Sequence, residues 1–152
     1  MFKKSDNISK LKELVSELNI RDIEVFETKE LLEIIIENAT DGYWDWMIED
    51  DYEFLSIGFK SQLGYSDDEM ENHPSSWQKL IYEEDLDIMF SEVEKHFNSN
   101  GEYPFKVISR YKHKDGHEVK VLCKGKVVQW SKDGKPIRMV GTHIDITDII
   151  NF

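Results

Sequence analysis

The sequence predicts an α+β domain: a five-stranded antiparallel sheet with short helices on one face and an N-terminal helical segment covering the other. Three observations predict it. Five stretches alternate apolar and polar residues in the manner of half-buried strands. Lys114-Asp115-Gly116 and Lys132-Asp133-Gly134-Lys135 stand between the last three of them, and Asp-Gly is a strong hairpin signal. The remaining segments carry apolar residues at helical spacing.

From Asn7 to about Asn38 neither proline nor glycine occurs. Ile8, Leu11, Leu14, Val15 and Leu18 form one stripe, with lysine and glutamate on the other face. The stripe loses register around "NIRDIEVF", which predicts two helices or a kinked one, the second running through "KELLEIIIEN". Its apolar face is broader than a two-stranded coiled-coil seam. It suits a cover for the domain's own sheet, and it also suits a homodimer contact.

Asp41-Gly42 is a turn signal, after which "YWDWMI" and "YEFLSI" read as a hairpin around Glu49-Asp50-Asp51. "FKSQLGY", "SDDEMENH" and "PSSWQKLIY" read as brief helical turns, with Ser66 an N-cap before three acids. "EEDLDIMFSEVEKHFNSNG" is an amphipathic helix ended by Asn-Ser-Asn-Gly. Three strands follow: "PFKVISRYKH", "HEVKVLCKGKVVQW" and "PIRMVGTHIDIT". The last is apolar on both parities, so both of its faces need cover. The N-terminal segment is the cover expected for the second face.

Bulk properties narrow the function. A net charge of −12 on 152 residues argues against nucleic acid and against an anionic membrane surface. The run Leu31-Leu32-Glu33-Ile34-Ile35-Ile36 is too short and too charged to span a bilayer, and no apolar region follows the first lysines. Cys123 is the single cysteine, which fits a reducing compartment. A cytoplasmic protein is expected.

The segments "GYWDWMIEDDYEFLS", "FKSQLGYSDDEM", "RYKHKDGHEVKVLCKGKVVQWSKDGKPIRMVGT" and "DIT" together resemble a PAS domain of the PAS/PAC sensory-box type. The likeness runs from about Asp41 to Ile149. Two places depart from the family pattern: Tyr82-Glu83-Glu84-Asp85 stands where His-Pro-x-Asp is frequent, and "EVKVL" where tryptophan is common. The resemblance implies a helical cap or dimerisation segment at 1–40, a PAS domain at 41–149 and the start of an output linker at 150–152. It implies a small-molecule pocket between the sheet and the short helices. It further implies relay through Asp145 and Thr147 to an output domain of histidine kinase or diguanylate cyclase type, absent from this chain. A ligand-free PAS domain that serves only dimerisation and relay fits the same residues.

Strand parity taken with this resemblance places Ser109, Tyr111, Val121, Cys123, Met139 and His143 on the pocket side. Trp46, on the face shared by Trp44 and Ile48, and Trp77 are further candidates to stack on a flat ligand, though the same rings suit a core. Tyr111, Cys123 and His143 would give an apolar site its few polar points. The only cysteine lies on a strand and not in the short helices, which argues against cysteinyl-flavin photochemistry. His96 falls near the end of the long helix, where a cation favours the dipole, and this argues against haem. His113 and His117 flank a turn without an evident third metal ligand, so no metal site is expected. No catalytic constellation is evident, and no enzyme is predicted.

Overall fold

The computed structural model describes residues 9, 10, 12, 13 and 28–150. The chain divides into two units, Met1–Ala39 and Thr40–Phe152. In the first, Thr28–Ala39 forms helix α1, within a residue of the span that the apolar spacing predicts. Asn38 Nδ2 donates to Ile34 O at 2.7 Å in its last turn. Residues 9, 10, 12 and 13 are also helical. Most of the segment expected to cover the sheet and to mediate a dimer lies outside the described residues.

The second unit runs β1 (Gly42–Met47), β2 (Tyr52–Leu55), α2 (Ile57–Gln62), a 3-10 turn (Asp67–Glu69), α3 (Pro74–Gln78), α4 (Glu83–Asn98), β3 (Phe105–Lys112), β4 (Glu118–Trp130), β5 (Pro136–Asp145) and α5 (Thr147–Ile150). The five strands form one sheet in the order β2-β1-β5-β4-β3, every neighbouring pair antiparallel. The chain's last strand is therefore the central one, paired with β1 along one edge and with β4 along the other. Ile57, expected at the end of the second strand, instead opens α2. The cause is Ser56, whose Oγ accepts the amides of Phe59 at 3.1 Å and of Tyr43 at 2.9 Å. That one hydroxyl caps the helix and holds it against β1.

The inner face of the sheet carries the core, including Val107, Tyr111, Val119, Val121, Cys123 and Met139. Outward-facing Ile108 is 56% exposed. Trp44 lies across the middle of this face. A Cβ at Gly125 or Gly141 would come within 2.5 Å or 2.2 Å of its ring, so the indole fits only because both strands carry glycine there. Alanine at Gly141 would overpack the site, at about 1–3 kcal/mol.

Helix α4 is anchored to β3 by Asp85. Its Oδ2 accepts from Arg110 N at 2.7 Å and from Arg110 Nε at 2.9 Å, and its Oδ1 accepts from Arg110 Nη2 at 2.9 Å. The Arg110 guanidinium holds the Asp85 carboxyl below its ordinary range. The departure at Tyr82-Glu83-Glu84-Asp85 therefore retains the acid that the packing uses.

Candidate functional site

The sheet's inner face and helices α2, α3 and α4 line a partly open cavity of about 80 Å³. At about 10–15 Å³ per water centre, that is room for roughly five to eight waters, or a ligand of similar heavy-atom count. Trp46 from β1, Trp77 from α3, Tyr111 from β3, Cys123 from β4, and Met139 and His143 from β5 all stand at its wall. Val121 and Ser109 do not, although both are fully buried. They pair with each other, and Val121 pairs on its other side with Asp145, one inward step past the Cys123–His143 pair. Tyr111 is farther still along β3, but its long side chain brings the ring centre to 5.7 Å from that of His143.

Local chemistry aims these side chains. Pro74 starts the five-residue helix α3, and His73 Nδ1 accepts the Ser75 amide at 3.1 Å. The other ring nitrogen, Nε2, lies 3.0 Å from Asp51 Oδ2, so the hairpin tip holds the helix that presents Trp77. The His143 ring stacks on Phe59 at 4.1 Å between centres. Its Nδ1–H donates to Gln62 Oε1 at 3.2 Å, which leaves Nε2 as a lone-pair acceptor.

Glu53 is the residue that sequence reasoning missed. The period-2 alternation of β2 turns it inward beside Leu55, opposite Trp46, and it is 6% exposed. That alternation was the available signal: "YEFL" places an acid on the same parity as a core leucine. Trp77 Nε1 donates to Glu53 Oε2 at 2.6 Å. Burial pushes the Glu53 carboxyl up to about 7, while the Trp77 bond pulls it the other way. Burial also pushes His143 down to about 3 and raises Tyr111 and Cys123 well above their ordinary values. Glu53 is thus the one wall residue that changes charge near neutral pH. Two indole donors at the wall, Trp44 Nε1 and Trp46 Nε1, are buried without a hydrogen-bond acceptor; Trp44 has only the Cys123 sulfur beside it.

The end of β5 is tied to the start of the domain. Asp41 N donates to His143 O at 3.1 Å, and Asp145 N donates to Asp41 Oδ2 at 2.6 Å. Asp145 Oδ1 in turn accepts from Thr147 N at 3.0 Å and from Thr147 Oγ1 at 2.6 Å. Thr147 Oγ1 accepts the Lys120 amide at 3.0 Å, and Ile146 N donates to Lys120 O at 2.8 Å. Asp145 and Thr147 therefore form a joint with Asp41 and β4.

The remaining histidines read differently in three dimensions. His96 is not a solvated helix-end cation but 1% exposed. Its Nδ1–H donates to Tyr103 O at 2.6 Å, and its Nε2 accepts the Val127 amide at 3.1 Å. Both nitrogens are engaged, so the ring has no lone pair left for an iron. His113 and His117 stack at 4.2 Å, and Asp115 between them supplies a third ligand-type atom, all within 4.8 Å. The Asp115 carboxylate meets the Nδ1 atoms of both rings, and these contacts close the exposed turn.

Residues 52–143 match the family model described as PAS fold. A sensory box histidine kinase/response regulator from Burkholderia thailandensis E264 is 25% identical, with a TM-score of 0.68, over 79% of this chain and 87% of that one. The N-terminal domain of a diguanylate cyclase with PAS/PAC sensor from Marinobacter aquaeolei is 17% identical, with a TM-score of 0.60, over 72% of this chain and 97% of that one. A PAS domain from Colwellia psychrerythraea is 19% identical, with a TM-score of 0.52, over 78% and 98%. No curated protein matches the chain. No helix among the described residues is long and apolar enough to cross a membrane. The family model spans more than half of the chain, and the strand order accords with it: the chain belongs to the PAS-fold family.

Proposed function

We propose that this PAS domain is a sensory module that binds a small molecule between its sheet and its short helices. The observation that carries the reading is a cavity with polar groups left open at its wall: Glu53 with one donor, and two indole N–H groups with no oxygen acceptor. Buried polar groups are normally paired, so such a wall is complete only with a guest. Trp46, Trp77, Tyr111, Cys123, Met139 and His143 are its proposed contacts. Val121 supports them from the core.

The relay follows from β5. His143 stacks on Phe59 at the cavity, while its carbonyl takes the Asp41 amide two residues before the Asp145–Thr147 joint. A ligand that favours one packing of β5 shifts the population of that joint. The signal passes to an output domain of histidine kinase or diguanylate cyclase type, and this domain itself performs no catalysis. We assign it to the cytoplasm, with the helical segment 1–40 preceding the PAS domain at 41–149 and a linker beginning at 150–152. A second reading, relay by a dimer without ligand, is supported by the exposed Leu32, Ile34 and Ile35 of α1. The two are separated by mass spectrometry of the purified chain before and after denaturation. A released stoichiometric molecule, with altered hydrogen exchange at Ile146 and Thr147 on its removal, supports sensing. No released molecule, and no thermal shift across a metabolite panel, would leave the relay.

A further inference from the structure

The charge pattern of the cavity wall selects a ligand class. Among the described residues no lysine or arginine stands at the wall, and the neighbouring basic groups are engaged: Lys60 with Asp67, and Arg110 with Asp85. Tyr111, Cys123 and His143, the wall's other titratable groups, remain uncharged around neutral pH. Glu53 stands alone among them. Trp77 is its one hydrogen-bond donor among the described residues, and an ionised carboxylate has about four acceptor positions. The aromatic side chains of Trp46, Trp77, Phe59 and Tyr111 line the same cavity.

We propose that the cavity takes a small organic cation, an ammonium on a ring or short chain, with its N–H groups on the Glu53 carboxylate and its body among the Trp46, Trp77, Phe59 and Tyr111 rings. The inference rests on reading the cavity as a ligand site. A cation in this place answers both features of the wall. It compensates the buried carboxylate, and its apolar body packs among the aromatic side chains of the wall. An anion would meet the Glu53 carboxylate with no lysine or arginine at the wall to outweigh it, and with the Trp44 and Trp46 N–H groups as donors. A neutral guest would leave Glu53 to be held protonated. The unaccepted N–H groups of Trp44 and Trp46 add room for one acceptor atom on the guest. The cavity volume admits a ring with one substituent, whereas a flavin or haem would require the short helices to move away from the sheet.

The test is calorimetric titration of the full chain at about pH 8 with benzylamine, benzyl alcohol and benzoate, which share one ring and differ in charge. Benzylamine is expected to bind about ten- to hundredfold tighter than the alcohol, the range of a hydrogen bond to a charged group. Benzoate is expected to bind weakest. Glu53→Gln, which keeps an acceptor for Trp77, removes that preference, so that benzylamine binds it no tighter than benzyl alcohol does. Circular dichroism checks that the variant is folded. Lowering the pH from about 8 to about 6 weakens benzylamine binding to the native chain, up to about tenfold per unit below the Glu53 pKa, and leaves Glu53→Gln unaffected. Alcohol or benzoate binding as tightly as benzylamine would overturn the cation and leave the sensing reading standing. If none of the three binds and denaturation releases no small molecule, the sensing reading falls as well.

Discussion

His96 and His143 are both buried, at 1% and 3% exposure, yet their surroundings differ in how completely they use the ring. His96 joins α4, the approach to β3 and β4 through two backbone hydrogen bonds, at 2.6 Å and 3.1 Å. Its region has no polar atom to spare. His143 makes one hydrogen bond, to a glutamine side chain, and otherwise stacks on Phe59 at the wall of a cavity shared with Glu53. Full satisfaction marks a residue that holds the fold. Partial satisfaction at a cavity wall is what the proposed ligand reading rests on.

The sharpest break of that comparison is His96→Ala. It strands the Tyr103 carbonyl and the Val127 amide and leaves a void, so urea unfolding should show a loss of about 3–5 kcal/mol. A loss below about 1 kcal/mol, within the range of ordinary surface changes, would show that the ring is dispensable. The second test works on the open side. The folded Glu53 carboxyl is raised from 4.5 to about 7, so the native state holds a proton that the unfolded chain has released. Stability from this group is present below pH 4.5 and is lost as the pH rises through about 7. Glu53→Gln should therefore match the native chain at low pH and exceed it by up to about 3 kcal/mol at alkaline pH. His143 contributes to both chains alike and cancels in the difference. A pH-independent gap would mean that Glu53 is not desolvated. The smallest effect concerns the joint. Thr147→Val removes the Oγ1 bonds to Asp145 and Lys120, for about 1 kcal/mol, with faster hydrogen exchange at the Lys120 amide. Unchanged exchange there would remove Thr147 from the proposed relay.

Much of the fold was legible because its signals are local. Asp115-Gly116 and Asp133-Gly134 place the hairpins, and Pro74 and the acids Glu83, Glu84 and Asp85 start helices where they stand, whereas Ser56, which the sequence reads as strand, caps a helix. Strand parity, taken with the PAS resemblance, likewise places Tyr111, Cys123, Met139 and His143 on the inner face. Parity says which side a residue is on, but not how far along the strand a helix covers it. That is why Val121 and Cys123, two residues apart and equally inward, fall outside and inside the cavity wall. His96 and Glu53 were misread or passed over for a related reason. Both are polar residues on inward positions, and whether such a residue is a core bond or an open group depends on partners 24 to 31 residues away.

By itself the sequence determined the order of elements, the antiparallel hairpins and the inner and outer faces of each strand, because turn chemistry and side-chain periodicity act over a few residues. Only the tertiary structure decided that β5 lies at the centre, that Asp41 clasps Asp145 across the domain's two ends, and that Glu53 is the lone acid in an aromatic cavity. Those outcomes depend on which distant segments exclude water from one another, and desolvation is a property of the assembled interior and not of any stretch of chain.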